Sequence, residues 1–254
     1  MLLLLSLFCL LISTTIANQN YNAYNYDMTT PQFTPDGRLL QVEYASLAST
    51  QSSPCVLWKL EGGETLVMTA KSSRNLQNRI IQLSSTTAVC LSGVVSDSLA
   101  LLSKVYEAQD EYRRMYGSAA LLSERQVANA IATACQRHSF GGGLRPYGST
   151  IIVLSAKNML QTDPSGAVVS LKDTKLYIVG KSSHDLRRKL EEEDAPTTLA
   201  SALLVVAKHL VVTADETEKN IASWLEVMVL SPEKGMHKLS EDQVEKLLAT
   251  IKEQ

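Results

Sequence analysis

The sequence predicts an α+β fold in which two antiparallel sheets are stacked face to face and helices cover both outer faces. Apolar segments of strand length come in hairpin-like pairs, and segments with helical spacing come in pairs between them. The order is four strands, two helices, four strands, two helices, one strand and one helix. Hairpins pair strands antiparallel, which excludes the all-parallel sheet of alternating β-α proteins. A single four-layer αββα sandwich over residues 34–254 would bury every segment.

Two hairpins account for the first four strands. "CVLWKL" and "ETLVMTA" are joined by Glu61-Gly62-Gly63, and "RIIQLS" and "TAVCLSG" meet across Ser85 and Thr86. Apolar runs of this length, separated by short turns, are typical of paired strands.

The remaining segments follow from spacing and from turn residues. Helices are predicted at 94–116, 123–138, 182–192, 196–213 and 241–252, and strands in "STIIVLSA", "NMLQTD", "AVVSL", "KLYIVGK" and "SWLEVMVL". "GGGLRPYG" interrupts the chain before the fifth strand, and Asp163-Pro164-Ser165-Gly166 is a turn signal within the second group of strands.

A polar tail and one short helix precede the first strand. Residues 18–33 are rich in Asn, Tyr, Gln and Thr, so they predict a mobile N-terminal tail. Thr34-Pro35-Asp36-Gly37 is a turn and helix-start signal. A helix over 38–48 follows, and its apolar residues recur at helical spacing and predict one apolar face: Leu39, Leu40, Val42, Tyr44 and Leu47.

The first 17 residues have the pattern of a secretory signal. "MLLLLSLFCLLISTTIA" has no charged side chain, and its apolar part is too short to span a bilayer. Thr15 and Ala17 supply small residues for a cut before Asn18. The leader over 1–17 predicts entry into the endoplasmic reticulum and leaves no membrane segment in the mature chain.

Composition excludes several classes of function. The net charge is −2 and the basic residues are dispersed, which argues against a nucleic-acid partner. Beyond the leader, Cys55, Cys90 and Cys135 form no CxxC pair, and each is predicted to be a small core residue. The four histidines are far apart in the sequence, so no metal site is predicted.

"YDMTTPQFTPDGRLLQVEYA" resembles the N-terminal signature of α-type subunits of the 20S proteasome, roughly YDR followed by FSPDGRLxQVEYA. "LSGVVSDS", "GGGLRPYGSTIIV", "TDPSGAVVS" and "KLSEDQVEKLLATI" are similar to further segments of that family, in the same order. The resemblance spans residues 26–251 and implies the αββα fold of N-terminal-nucleophile hydrolases. Met28 departs from it, because the family carries Arg there, and the segment before Arg79 is shorter.

The resemblance implies a non-catalytic subunit in the seven-membered outer ring and axial gate of the particle, serving ubiquitin-dependent and general protein degradation. Its partners would be other α subunits, β subunits, the C-terminal tails of activators and unfolded substrates in transit, with no cofactor. The family is cytoplasmic and nuclear, whereas the leader predicts secretory entry. Two alternatives stay open: a divergent N-terminal-nucleophile peptidase, and a proteasome-like assembly protein of a compartment derived from the endoplasmic reticulum.

Five residues are carried over from the family's motifs. Tyr26, Asp27, Pro35 and Tyr44 match the cluster that braces the open-gate turn. Arg79 matches the lysine of the pocket between subunits that receives the carboxylate of an activator's tail. A guanidinium can hold a carboxylate with two hydrogen bonds, so Arg79 suits that role.

The peptidase alternative needs an N-terminal Thr or Ser whose own amine acts as base, together with a carboxylate and a lysine. Alignment by the first hairpin puts the nucleophile at Ser53, give or take one residue, the carboxylate at Thr69 or Ala70, and the lysine at Arg79. Neither candidate for the carboxylate position is acidic, and Arg does not exchange a proton at neutral pH. No catalytic residue is therefore predicted.

Overall fold

The computed structural model describes residues 26–71, 78–193, 196, 198–214 and 225–252. The predicted leader and residues 18–25 of the predicted tail lie outside the described residues. The helices are α1 (Leu40–Ser49), α2 (Val95–Tyr116), α3 (Glu124–Phe140), α4 (Ser183–Glu192), α5 (Leu199–Ala214) and α6 (Glu241–Lys252). The strands are β1 (Cys55–Lys59), β2 (Thr65–Ala70), β3 (Ile80–Gln82), β4 (Ala88–Gly93), β5 (Ser149–Leu154), β6 (Met159–Thr162), β7 (Val168–Ser170), β8 (Leu176–Val179), β9 (Leu225–Ser231) and β10 (Gly235–Lys238).

The strands form two antiparallel sheets of five. One has the order β10-β9-β2-β1-β8 and the other the order β3-β4-β5-β6-β7. Hairpins build most of each sheet, but β8 and β9 return to the first sheet from distant parts of the chain and flank the β1–β2 hairpin. Long-range pairing therefore completes the first sheet, as in a stacked sandwich.

Three apolar layers hold the sandwich together. The middle layer lies between the sheets and includes Leu57, Val67, Ile152 and Met228. A second layer joins α2 and α3 to the outer face of one sheet, and a third joins α4, α5 and α6 to the outer face of the other. Burying apolar surface on both faces of each sheet explains why the central strands β1, β2, β4, β5 and β9 are apolar almost throughout. The predicted four-layer αββα fold is confirmed.

Strand β10 is the element that the sequence did not predict. Its residues, Gly235 to Lys238, are partly or fully exposed and show no apolar alternation. The strand forms because β9 offers an unpaired edge, and residues 231–235 turn the chain back along it. None of the described helices is both long and apolar enough to cross a membrane.

Candidate functional site

Helix α1 packs against β4 and β5 at one end of the sandwich. Val42, Ala45 and Ser49 are buried, whereas Tyr44 is 46% exposed and Leu47 is 61% exposed. The apolar residues that the sequence grouped on one face are thus divided between the sandwich and solvent. Large apolar side chains held in water on a short helix are suited to contact with another protein chain.

Two glycines let α1 approach the sheet closely. Gly93 ends β4 with a φ of +116°, and a Cβ atom there would lie 2.3 Å from the carbonyl oxygen of Gly148 and 3.1 Å from the Cα of Ser49. A Cβ at Gly148 would lie 3.2 Å from the Cβ of Ala48. The glycines of "LSG" and "PYG" therefore fit the backbone contact between helix and sheet, which a larger residue would separate.

Hydroxyl groups fill the contact beneath α1. The Oγ atoms of Ser52 and Ser92 are 2.8 Å apart, and Ser92 donates to the carbonyl of Ser49 over 3.2 Å. Thr150 donates to the Ser49 hydroxyl over 3.0 Å. All four residues are at most 8% exposed. Because each hydroxyl has a partner, the contact is satisfied without apolar filling.

This hydroxyl network occupies the place where the peptidase alternative needs a nucleophile. Ser53 follows Ser52 in an unbroken chain that continues from α1, so its nitrogen is an amide and not the free amine that would act as base. Thr69 is buried and donates to the carbonyl of Pro54 over 3.0 Å. The two predicted carboxylate positions are thus occupied by Thr69 and Ala70, which are not acidic.

A buried carboxylate does lie beside this region, on a strand that the sequence did not single out. Glu226 pairs across strands with Thr69 and is 2% exposed. Its Oε2 accepts the backbone amides of Arg79 and Ile80 over 2.8 and 2.9 Å, and its Oε1 lies 3.3 Å from Nζ of Lys238. Oε2 therefore joins β9 directly to the start of β3. Oε1 reaches the same strand through Lys238 of β10, which also donates to the carbonyl of Ile80 over 3.0 Å. Glu226 thus acts as a link between the sheets.

Arg79 lies just before β3 and is partly buried. Its backbone amide donates to Glu226, and its Nη1 donates to the carbonyl of Leu91 over 3.4 Å. The long guanidinium contact holds the side chain only weakly. Arg79 therefore keeps a cation at the edge of the second sheet, near the end of the sandwich that α1 covers.

The predicted gate residues come partly together. A hydrogen bond between the side chains of Tyr44 and Asp27 raises the pKa of Tyr44. The side-chain amide of Gln41 donates to the carbonyl of Asp27, which ties the tail to α1 a second time. Tyr26 is half-buried at the start of the described segment. One oxygen of the Asp27 carboxylate, Oδ1, is buried in the protomer and has no hydrogen-bond partner among the described residues.

Pro35 lies in an exposed turn that leads into α1. The amide of Gly37 donates to the carbonyl of Thr34 over 2.8 Å, and Gly37 has a φ of +77°. Arg38 and Glu43 then form an exposed ion pair along the first turn of the helix. The turn chemistry that the sequence showed at 34–37 thus sets the direction in which the chain enters α1.

The end of the tail is anchored on the loop 141–148. Thr30 is 9% exposed, and its hydroxyl donates to the carbonyl of Leu144 over 2.8 Å. An open pocket of about 580 Å³ lies between the tail and this loop, and its lining includes Met28 and Gln41. Met28 itself is 68% exposed. The residue that departs from the family's signature therefore faces solvent beside the anchor.

An ion pair between a buried aspartate and an exposed arginine fixes the loop 141–148, and the sequence did not reveal it. Asp97, in the first turn of α2, accepts from Nη1 and Nη2 of Arg145 over 2.6 and 2.7 Å and from the amide of Gly148 over 2.8 Å. The Arg145 contact lowers the pKa of Asp97, and the Gly148 amide adds to that effect. Arg145 and Asp97 are 48 residues apart, so only their position inside "GGGLRPYG" and "LSGVVSDS" could have drawn attention to them.

A histidine supports the same loop from α3. Nδ1 of His138 lies 3.0 Å from the carbonyl of Arg145, and its Nε2 lies 3.1 Å from the hydroxyl of Tyr147. The two rings are also in contact, with centroids 4.1 Å apart. The loop that receives the tail is thus fastened to α2 and to α3, whereas the tail is fastened to the loop by one hydroxyl.

No group of three or more metal-ligating side chains converges anywhere in the part of the chain that the structure describes. The candidate site is therefore a surface built from the tail, α1 and the loop 141–148, with Arg79 nearby on the second sheet. It offers exposed apolar groups and hydrogen-bonding atoms to a protein partner. Ser53 has an amide nitrogen in place of a free amine, and the nearby carboxylate of Glu226 is engaged by backbone amides and Lys238.

Comparison with known proteins gives two family matches and many relatives. The family model described as proteasome subunit matches residues 62–227, and the N-terminal signature of A-type proteasome subunits matches residues 26–46. The alpha type-7 proteasome subunit of Dictyostelium discoideum is 27% identical over 89% of this chain and 91% of its own. The alpha proteasome subunit of Pyrococcus abyssi is 27% identical over 89% and 88%, and the alpha type-2 subunit of Caenorhabditis elegans is 28% identical over 90% and 98%.

Proposed function

This chain belongs to the proteasome subunit family, and we propose that it is a non-catalytic α-type subunit in the outer ring and axial gate of the 20S particle. One observation carries the proposal. The segment that matches the α-type signature, residues 26–46, forms the tail and helix α1 that cover the end of the sandwich. Relatives named as α subunits match along nearly their whole length, so the likeness extends to the complete domain.

The site supports a structural role better than a hydrolytic one. Ser52 is buried in the hydroxyl network, and Ser53 has an amide nitrogen where a peptidase of this fold needs an amine. The nearby carboxylate of Glu226 accepts hydrogen bonds from two backbone amides and Lys238. A chemical step would require α1 to be cut away and these contacts to be broken.

The partners follow from what the surface leaves unsatisfied. Tyr44 and Leu47 expose apolar surface on α1, and the buried Oδ1 of Asp27 has no donor among the described residues. A neighbouring subunit could cover this apolar surface. It could also supply a hydrogen-bond donor to Oδ1 of Asp27, since buried polar atoms are rarely left unpaired. We assign other α subunits to this side, β subunits to the opposite side of the ring, and unfolded proteins in transit as the material that passes the gate.

The gate role is assigned to the tail with Tyr26, Asp27, Pro35 and Tyr44. A gate must change between arrangements, and segments with few buried contacts are suited to such changes. Within the described residues, hydrogen bonds from Thr30 to Leu144 and from Gln41 to Asp27 attach residues 26–33, and Tyr44 interacts with the Asp27 side chain. We assign Arg79 to the pocket for an activator's C-terminal carboxylate. The same gate would serve both ubiquitin-dependent and general degradation.

The assembly is tested by changing the exposed side of α1. Replacing Tyr44 and Leu47 together by Asp should leave the sandwich folded, because neither side chain is buried, but should abolish ring formation with partner subunits. The native mass of co-expressed complexes measures this. Val169→Asp, a substitution of a 51% exposed residue on β7, is the matched control. Rings of unchanged mass in the double variant would exclude α1 as the contact.

The peptidase alternative is tested by covalent labelling. A serine or threonine nucleophile of this fold class forms a stable adduct with an electrophile that also captures the neighbouring amine. Incubation of the chain with a peptide epoxyketone should give no adduct at Ser52 or Ser53 by peptide mapping, while a catalytic β subunit in the same tube is labelled. An adduct on either serine would contradict the non-catalytic assignment.

Location is assigned from the family to the cytoplasm and nucleus, and entry into the secretory route through residues 1–17 stays a prediction. A C-terminally tagged full-length chain distinguishes the two. Retention of Met1 with a diffuse cytosolic signal supports the family's location. A mature N-terminus at Asn18 supports the leader and the third possibility, an assembly protein of a compartment derived from the endoplasmic reticulum.

A further inference from the structure

Two cysteines that are 35 residues apart in sequence meet in the middle of the sandwich. Cys55 begins β1 in one sheet, and Cys90 lies within β4 in the other. Their Sγ atoms are 2.7 Å apart, and both residues are 0% exposed. The sequence indicated two unrelated core residues, because nothing in their spacing shows that the sheets bring them together.

The distance between the two sulfurs is shorter than the usual separation of non-bonded atoms. Non-bonded heavy atoms in a core settle at about 3.5–4.0 Å, and sulfur is larger than carbon. A covalent bond between two sulfurs is about 2.0 Å long. A further approach of less than about 1 Å would therefore join the two atoms, without either strand leaving its sheet.

The surroundings favour a bond between the two over any other use of either thiol. Both belong to the apolar layer between the sheets, with Ile152 and Met228 among its members. Contact with Cys90, followed by burial, raises the pKa of Cys55 well above its usual range. Cys55 is thus protonated in the folded chain, and both thiols are closed to reagents by burial. A reaction therefore has to take place while the chain folds, before the sheets close over the pair.

We propose that Cys55 and Cys90 form a disulfide that joins the two sheets when the chain folds in the presence of a small-molecule disulfide such as oxidised glutathione. One cysteine thiolate attacks a sulfur of the reagent, a bond forms between protein and glutathione, and one glutathione thiolate leaves. The other cysteine then attacks the protein sulfur of this mixed disulfide and releases the second glutathione. Two protein thiols are oxidised, one reagent disulfide is reduced, and the protons pass to the two glutathione thiolates.

The third core cysteine provides a matched control. Cys135 is also 0% exposed, but it lies on α3 in the layer between helices and sheet. Burial raises its pKa to about 12. Cys135 is as deeply buried as Cys55 and Cys90, but it does not lie between the two sheets. An effect that any buried thiol produces would therefore appear at Cys135 as well.

The cross-link would be visible in the stability of the chain. It would close a long loop that includes β1, β2, β3 and part of β4, which restricts the unfolded chain more than the folded one. For a chain of this size the expected rise in Tm is roughly 5–15 °C over the reduced form.

The test is to unfold the full-length chain, refold it with oxidised or with reduced glutathione, block free thiols, and map tryptic peptides without reduction. Each of the four cysteines falls in its own peptide, at 1–38, 39–59, 80–104 and 126–137. The expected product is a species lacking two hydrogens in which 39–59 and 80–104 are joined, with the higher Tm. The Cys135→Ala variant should still form the cross-link and show the higher Tm. The Cys90→Ala variant should show neither.

Blocked thiols at both Cys55 and Cys90 after oxidative refolding would overturn the proposal. So would a cross-link that involves the peptide of Cys135 or of Cys9 in their place, or a rise in Tm that survives Cys90→Ala. The peptide map of the unmutated chain decides the matter even if Cys90→Ala does not fold. The test does not depend on ring assembly, so its outcome is separate from that of the proposed function.

Discussion

At the scale of single residues, Asp97 attaches the loop 141–148 to α2. It is 4% exposed, it accepts three hydrogen bonds, and its partner Arg145 has a side chain that is 68% exposed. The exposed end of the pair is screened by water, so most of the stabilisation comes from the buried side, where the Gly148 amide is satisfied. The sequence could show that both residues lie in motifs, but not that the fold brings them together across 48 residues.

Asp97→Asn should lower the free energy of unfolding by roughly 1–3 kcal/mol at pH 7, because the charged hydrogen bonds are lost. The folded pKa of Asp97 is lowered, so its contribution is fully present above the usual Asp pKa of about 3.9 and disappears as the pH falls through the folded value. The difference between variant and parent should therefore shrink below about pH 4. Urea unfolding at several pH values measures it, with Asp110→Asn on the exposed side of α2 as control.

Tyr44 is the second residue whose role can be separated from packing. Tyr44→Phe removes only the hydroxyl that meets Asp27, and the ring remains. Since the group is largely exposed, we expect hydrogen exchange at residues 26–33 to become only roughly two- to tenfold faster. Tyr106→Phe removes the hydroxyl of an equally exposed tyrosine on α2. Equal exchange in both variants would show that the hydroxyl does not hold the tail.

At the scale of elements, the strands and helices were largely predictable because their apolar patterns are strong. Helix α1 was predicted from Thr34-Pro35-Asp36-Gly37, but the side that it buries was not. Gly93 and Gly148 let the C-terminal end of α1 approach β4 and β5 closely, at Ser49 and Ala48, and that contact depends on residues far along the chain. Strand β10 was also missed because its formation depends on another part of the chain. It becomes a strand by pairing with β9, and its own composition gives no sign of this.

Gly93→Ala should separate α1 from the sheet. The new methyl group would clash with the Gly148 carbonyl, and the φ of +116° is unfavourable for alanine. We expect a loss of at least about 3 kcal/mol in the free energy of unfolding, or a protein in which α1 is released. Circular dichroism during urea unfolding and proteolysis near residue 50 distinguish these. Gly62→Ala, at a turn with no atom within 4 Å, should change neither.

At the scale of the whole molecule, the Glu226 link adds polar contacts between the sheets to those made by the apolar layer. Glu226 connects β9 to the backbone of β3 and to Lys238, with 1% of its side chain exposed. A charge so far from water is tolerated because its oxygens accept three hydrogen bonds. The fold class was predictable from strand order, but this link was not, because Glu226 lies in an otherwise apolar strand with no local sign of its partners.

Glu226→Ala should destabilise the fold by roughly 3–5 kcal/mol. It leaves the amides of Arg79 and Ile80 without their acceptor and removes the carboxylate beside the Lys238 ammonium, which keeps the carbonyl of Ile80. Glu226→Gln should lower the free energy of unfolding by less, because the side-chain amide oxygen can still accept hydrogen bonds from the backbone of β3. The midpoints of urea unfolding give the order of the two variants. The exposed Glu233→Ala is the control. If Glu226→Gln and Glu226→Ala lowered the free energy of unfolding equally, the stabilisation would come from the charge of Glu226 and not from its hydrogen bonds.

The hydroxyl network beneath α1 has a thermodynamic consequence for how that helix opens. Its contact is made largely by serine and threonine oxygens, and only Val42 and Ala45 are buried apolar residues of the helix. Detachment would expose little hydrocarbon, and the heat capacity and the denaturant sensitivity of a transition both follow the area that it exposes. Exchange of α1 amides should therefore be nearly independent of added urea, while exchange of β4 and β5 amides accelerates steeply with it. Such a helix would respond to temperature and solvent far less than the sandwich that it covers.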